Sequence, residues 1–498
     1  MSAFVLAIDQ GTTNTKVLAL DPDGRVVARH SVPTPIAYPQ PGWVEQSGDE
    51  IWRATTAAIE GCIAALPKGA TVAAIGISNQ RESVLLWRRS TGETVGPCVT
   101  WQCRRSSDLI DALRSPDVEE SVVSKTGLGL DPLFPAAKIG WLLDAYPEAR
   151  ALAGRGDLCA GTIDSWLLFN LTGREVHATD ASNASRTQLF DIHRQIWSDE
   201  LCALFGVPGA ILPRIHDSDA RFGAAKSIHR RLEGVPVYAM MGDSHAALFG
   251  HGVRSPGAVK ATYGTGSSLM TLTETPVRSR SGLSTTVAWR RSGKTAYALE
   301  GNISVSAQAA AWMADLMGLP DVAALTELAA KSGGGGAVCF VPALAGLGAP
   351  YWKDRARAAL TGMSLATSRS DVARATLEAI ALQICDVFGA MEHDLGASLA
   401  RLSVDGGATQ NDLLMQFQAD LLGRPVQRLK ILELSAFGAG TLAGAASGVM
   451  EEARIEALVK DAGDEIAPRL DPAARGAKIA AWSAAVDAVI GRADGRQR

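Results

Sequence analysis

Phe4-Val5-Leu6-Ala7-Ile8-Asp9-Gln10-Gly11-Thr12-Thr13-Asn14-Thr15-Lys16-Val17-Leu18-Ala19-Leu20-Asp21 is the stretch that decides the fold. An apolar run ends in Asp9, a short turn carries Gly11, Thr12 and Thr13, and a second apolar run leaves after Lys16, the pattern of two strands joined at a polar tip. A carboxylate at a strand end can hold Mg²⁺ through oxygen or water. Gly11 lets backbone N–H groups and the threonine hydroxyls close on phosphate oxygens beside the Lys16 cation. The stretch reads as a nucleotide-phosphate site, although taken alone it also describes an ordinary hairpin with a polar tip.

Outward from it, Asp21-Pro22-Asp23-Gly24 is a turn and residues 25–32 a third antiparallel strand. Ser47-Gly48-Asp49-Glu50 leads into an amphipathic helix from Ile51 to about Leu66, and a buried strand, 72–78, ends at Asn79-Gln80-Arg81-Glu82-Ser83. Two charges just past such a strand lie where open α/β sheets bind ligands; an exposed ion pair gives the same pattern. Trp101 is either core or the wall of a pocket. Farther on, the strand 235–241 ends in Gly242-Asp243-Ser244-His245, with a helix from Ala246. Residues 257–272 repeat the opening pattern of strand, glycine-threonine turn (Gly264-Thr265-Gly266) and strand, and Gly406-Gly407-Ala408 precedes a helix from Asn411 through Leu422. Two strand-led halves, each with a Gly/Thr turn, make a cleft that can clamp ATP. Ser332-Gly333-Gly334-Gly335-Gly336 reads as a flexible connection, and an alanine-rich helix, 477–489, precedes a polar tail.

Composition narrows the partners. A chain of 498 residues, 47% hydrophobic and 20% charged, has material for two or more cores. Its net charge of −4 without a run of one sign suggests neither nucleic acid nor a membrane surface, so the expected partner is a small molecule. Seven scattered cysteines without a Cys-x-x-Cys pair argue against a disulfide framework and a zinc site, and no apolar run reaches the ~18 residues of a spanning helix. A cytoplasmic protein is expected, with assembly as a homo-oligomer left open.

Asp9-Gln10-Gly11-Thr12-Thr13, Pro41-Gly42-Trp43-Val44-Glu45, Asn79-Gln80-Arg81-Glu82, Trp101-Gln102-Cys103-Arg104-Arg105, Asn183-Ala184-Ser185-Arg186-Thr187, Gly242-Asp243, Thr262-Tyr263-Gly264-Thr265-Gly266 and Val404-Asp405-Gly406-Gly407-Ala408 occur in order. Together they resemble the FGGY carbohydrate kinases, and among them most the glycerol kinases. The resemblance implies an α/β fold of two actin-like, ribonuclease-H-like domains with an ATP and substrate cleft between them: 1–250 binding the sugar or polyol, 251–498 binding ATP. It implies Asp243 as the catalytic base and Asp9 as the Mg²⁺ carboxylate. Thr12, Thr13, Lys16, Gly264 and Thr265 would face the phosphates, and Gly407, Ala408 and Asn411 the adenosine.

In glycerol kinases an Arg-Glu pair, a Trp, a Tyr, the catalytic Asp with a following Gln, and a Phe surround the triol. Here Arg81, Glu82, Trp101 and Asp243 match, while Leu133 stands at the Tyr position, Ser244 at the Gln and Ser268 at the Phe. All three changes shrink the side chain. The lost walls leave room for a longer substrate, and two hydroxyls are gained that can bond extra substrate OH groups, so a four- or five-carbon polyol or ketose is expected in place of glycerol. His245 offers either a further hydrogen bond or a structural ring. The rival readings are a true glycerol kinase and an actin-like ATPase that takes no sugar; the latter leaves Arg81-Glu82 beside Trp101 without a purpose.

Overall fold

The computed structural model describes residues 3–333 and 337–495; part of the expected glycine connection, Gly334 to Gly336, and the end of the polar tail lie outside them. The first of two large sheets has six strands in the order Gly223–Ala224, Pro236–Gly242, Thr71–Asn79, Ala3–Gln10, Asn14–Leu20 and Val26–Pro33. The opening hairpin forms with Asp9 opposite Lys16, and Val26–Pro33 extends it antiparallel. Thr71–Asn79 and Pro236–Gly242 join in parallel.

Ala3–Gln10 is covered on both faces, which is why its sequence is almost unbroken apolar. Phe4, Leu6 and Ile8 pack with Ile51, Ala58 and Ile59 of helix Gly48–Ala64. The alternate residues Val5 and Ala7 pack with Phe437, Ala439 and Leu442 of helix Leu434–Ala446, which returns from the far end of the chain. Helix Gly48–Ala64 starts before the expected Ile51 because the Ser47 hydroxyl caps it by accepting from the Glu50 N–H.

The second sheet has seven strands: Ser284–Arg291, Lys294–Ile303, Ser267–Thr273, Ala258–Tyr263, Arg401–Asp405, Val426–Leu429 and Gly463–Ile466. Its hairpin, Ala258–Tyr263 with Ser267–Thr273, again lies beside a parallel strand, Arg401–Asp405, so the repeat read in the sequence is a repeat of topology. Val259, Ala261, Tyr263, Leu269, Leu299, Leu402 and Val404 feed an apolar core. The alternate positions are mostly polar and form two ranks across four strands: Ser403, Lys260, Met270 and Glu300, then Asp405, Thr262, Ser268 and Asn302. Glu300 of that face reaches Arg81 of the first lobe, so this polar face meets the first sheet.

Helix Asp243–Gly250 follows the first sheet's strand Pro236–Gly242 and crosses helix Leu434–Ala446 in close contact. A Cβ on Gly438 would run into the Ala246 carbonyl, and one on Gly250 would come within 2.6 Å of the Leu434 carbonyl oxygen. Six cysteines are buried and Cys385 is half-buried, all as free thiols. Among the described residues no helix is long and apolar enough to cross a membrane.

Candidate active site

Asp243 is itself the first residue of its helix, three positions ahead of the expected Ala246, with Gly242 extended at the cap. The helix N-terminus favours an acid there. A Cβ on Gly242 would lie 2.6 Å from Arg81 Cγ, so the glycine leaves the space that the arginine stem fills. Arg81 Nε lies 3.2 Å from Asp243 Oδ1, and its Nη2 lies 2.7 Å from Glu300 Oε1. Glu300 Oε2 in turn lies 2.9 Å from Arg186 Nη1, and Arg186 Nε donates to Glu82 Oε1 at 2.6 Å.

The result is a row of alternating charge, Asp243, Arg81, Glu300, Arg186, Glu82, with Glu300 coming from the second sheet. Burial alone would raise the Glu300 carboxyl, but Arg186 and Arg81 outweigh it and hold it well below the usual range. Arg81 Nη1 remains buried without a hydrogen-bond partner, a donor aimed at nothing in the protein.

The Asp243 side chain is 38% exposed and opens on the cleft. Burial of its surroundings raises its pKa, Arg81 pulls it down and Glu82 pushes it up again. Asp9 sits deeper, its Oδ1 accepting from Ser78 Oγ at 2.9 Å, while Oδ2 has no hydrogen bond among the described residues. Burial lifts Asp9 to about 6 against the pull of Ser78, and the charge of Asp243 adds to the rise. A buried carboxylate with a free oxygen, raised further by the charge of a second carboxylate, suits Mg²⁺, which takes one or two protein carboxylates and completes its shell with phosphate oxygens and water.

Around these acids the structure brings several expected residues together. Trp101 Nε1 donates to Thr12 Oγ1 at 3.0 Å, joining the proposed sugar wall to the phosphate turn. Glu82 has a left-handed backbone, φ 60°, and its carbonyl accepts from Lys138 Nζ at 3.2 Å. The same ammonium donates to the Leu133 carbonyl at 2.5 Å, which ties the Leu133 loop to Glu82. Lys138 is fully buried, and burial pushes it down to about 7, with Glu82 opposing. Ser268 Oγ lies a long 3.4 Å from both Ser244 Oγ and Glu300 Oε1, so two of the three shortened positions meet where the sheets face each other.

Other expected residues have partners within the protein. Lys16 Nζ is 2.5 Å from Glu433 Oε2. Asn411 caps helix Asp412–Leu422 by accepting from Leu414 N–H at 3.0 Å, and it donates to Thr326 Oγ1 at 2.8 Å. Its side chain is therefore engaged in holding that turn. Thr13 Oγ1 accepts from Asn14 Nδ2 at 3.1 Å. Gly264 and Thr265 form the second hairpin's turn, with the Thr265 carbonyl accepting from Ser306 N–H at 2.9 Å, and Gly407 and Ala408 lie in a short 3₁₀ turn directly after Asp405. His245 is a structural ring: it is fully buried with Nε2 3.1 Å from Thr286 Oγ1, and burial, then Arg81, keeps it far below its usual pKa and neutral.

Comparison with known proteins agrees with the fold of two sheet-centred halves. Residues 4–250 match the N-terminal domain of the FGGY family of carbohydrate kinases, and residues 259–447 match its C-terminal domain. The chain is 49% identical over 449 residues to an apulose kinase of Pectobacterium atrosepticum, covering 90% of each protein. It is 44% identical over 496 residues to a glycerol kinase of Myxococcus xanthus, covering 97% of this chain and 99% of that one. The crystal structure of Plasmodium falciparum glycerol kinase with ADP superposes with a TM-score of 0.94 at 31% identity, covering 98% of both chains.

Proposed function

The chain belongs to the FGGY family of carbohydrate kinases, and from that premise we propose that it moves the terminal phosphoryl group of ATP onto a hydroxyl of a four- or five-carbon polyol or ketose, with Asp243 as the base. Among these, a five-carbon ketose such as apulose is the reading we favour. The observation that carries this choice is the meeting of Ser244 and Ser268 beside Glu300, with Leu133 tied to Glu82. Two hydroxyls stand where glycerol kinases carry a Gln and a Phe, so the site offers more room and more hydrogen bonds than a triol uses.

In the reaction, an Asp243 oxygen accepts the proton of the substrate hydroxyl as that oxygen attacks the γ-phosphorus. The bond from phosphorus to the bridging oxygen breaks, and ADP leaves with the electron pair. Arg81 counters the rise that burial gives Asp243, and its unpaired Nη1 is a donor for a substrate oxygen. Glu300 and Arg186 hold Arg81 and Glu82 in position. Asp9 would hold Mg²⁺, which when bound neutralises charge on the phosphates. Thr12, Thr13, Lys16, Gly264 and Thr265 would line the phosphates and Gly407, Ala408 and Asn411 the adenosine, with the sugar on the lobe of residues 1–250 and the nucleotide on that of 251–498.

Glycerol is the second reading, favoured by the match to the Myxococcus xanthus glycerol kinase over nearly the whole of both chains. ADP release measured with glycerol, erythritol, ribitol, xylitol, ribulose, xylulose and apulose separates the two. The expected result is a kcat/KM for a ketopentose at least about 10-fold above that for glycerol; a panel led by glycerol removes the proposal.

A further inference from the structure

Glu433 has a left-handed backbone, φ 57° and ψ 52°, at the cap of helix Leu434–Ala446. A residue with a Cβ keeps that conformation only when its surroundings require it, and such residues gather at functional sites. Its carboxylate reaches to the opening hairpin, where Oε2 lies 2.5 Å from Lys16 Nζ, and Lys16 stands opposite Asp9. The side chains of the pair are 34% and 30% exposed, so this is a contact that can open.

Glu433 also lines a cavity of about 330 Å³, together with Leu18, Arg25, Arg29, Lys430 and Phe437 among others. Arg29 stands opposite Leu18 and Ser31 opposite Lys16, which puts Arg29 diagonally across from Lys16 on the same face of the sheet. The Arg29 side chain makes no ion pair or hydrogen bond among the described residues.

We propose that Glu433 is a latch on Lys16. It is a positioning residue that holds the ammonium while the nucleotide is absent and gives it up to the phosphates on binding, its freed carboxylate turning into the cavity toward Arg29. The proposal rests on the assignment of Lys16 to the phosphates. A polyphosphate carries more charge than one carboxylate and wins the ammonium. The nucleotide must still displace an internal anion, so the latch weakens nucleotide binding and speeds its departure.

The test is calorimetric titration of the full-length protein with ADP and with the β,γ-imido analogue of ATP, both with MgCl₂. Glu433→Gln is expected to lower both dissociation constants roughly 2- to 5-fold, the range that a part-exposed ion pair supplies. Glu433→Gly, which removes the same carboxylate and suits a positive φ, gives the same tightening without a fall in melting temperature. In a Lys16→Met background neither change at position 433 moves the constants, an outcome that a merely structural role for Glu433 would not produce.

If Lys16→Met alone leaves nucleotide affinity unchanged, the phosphate assignment of Lys16 fails, and the latch with it. If Lys16→Met weakens binding while both Glu433 variants bind no tighter than the parent, the latch alone is overturned.

Discussion

Arg81, in the turn that follows the first sheet's strand Thr71–Asn79, and Glu300 of the second sheet meet with Nη2 2.7 Å from Oε1, and the two side chains are 8% and 0% exposed. Removing a buried carboxylate shared by two arginines leaves both guanidiniums buried with fewer acids than before, Asp243 and Glu82 being their remaining partners. Glu300→Ala is therefore expected to cost about 3–5 kcal/mol of folding free energy in urea titrations. Glu300→Gln keeps the shape but frees Arg81 to shift, and it should lower kcat/KM roughly 100-fold.

Asp243→Asn removes the proton acceptor with little change in volume. Phosphoryl transfer to the best sugar should fall by about 10²–10⁴ in kcat, while the dissociation constant of an ATP analogue stays within about twofold. Coupled ADP detection and calorimetry give the two numbers; an undiminished kcat would remove Asp243 from the chemistry.

Leu133→Tyr, Ser244→Gln and Ser268→Phe together restore the residues that glycerol kinases carry. The ratio of kcat/KM for glycerol over a ketopentose should rise by roughly 10- to 200-fold, the scale at which pocket volume and one or two hydroxyls discriminate.

Asp164 is fully buried, accepts from Thr162 Oγ1 at 2.5 Å and Thr179 Oγ1 at 2.6 Å, and is raised by burial to about 7. The fold thus holds a proton that the unfolded chain gives up near pH 4. The stabilisation is complete below that pH and is lost as pH rises through about 7. Between pH 5 and 7.5 the parent should lose on the order of 1–3 kcal/mol relative to Asp164→Asn in urea titrations, because the amide does not titrate.

Gly438→Ala decides between two opposing magnitudes. Helix propensity offers about 1 kcal/mol of gain, while overpacking costs about 1–3 kcal/mol, and the obstacle is a backbone carbonyl, that of Ala246, which has no rotamer to change. The expected result is a net loss of stability, read by thermal unfolding; a gain would mean that the two helices can move apart.

Most of the frame was legible in the sequence because its signals are local. Apolar runs flanking Gly11-Thr12-Thr13 and Gly264-Thr265-Gly266 specify two hairpins whatever lies elsewhere, and Asp9 and Asp243 could be placed by the strands that end on them. What escaped is held by partners far along the chain. Glu300 and Lys260 each sit among apolar neighbours in a strand, and a charge there is itself a signal of a buried partner, but nothing nearby says which one. Arg186 stands in the motif Asn183-Ala184-Ser185-Arg186-Thr187, which gives it no partner, and nothing in the sequence beside Lys138 marks it as buried. Glu433, the partner of Lys16, lies 417 positions away along the chain.

With six cysteines buried and Cys385 half-buried, the native protein presents almost no reactive sulfur to a maleimide. Two new thiols, at exposed Val27 on the first sheet and at exposed Leu365 in the second half of the chain, would be the only ready targets for a pair of fluorophores. Energy transfer between them would then report whether the distance between the halves changes when nucleotide and sugar are added, on an otherwise unaltered chain.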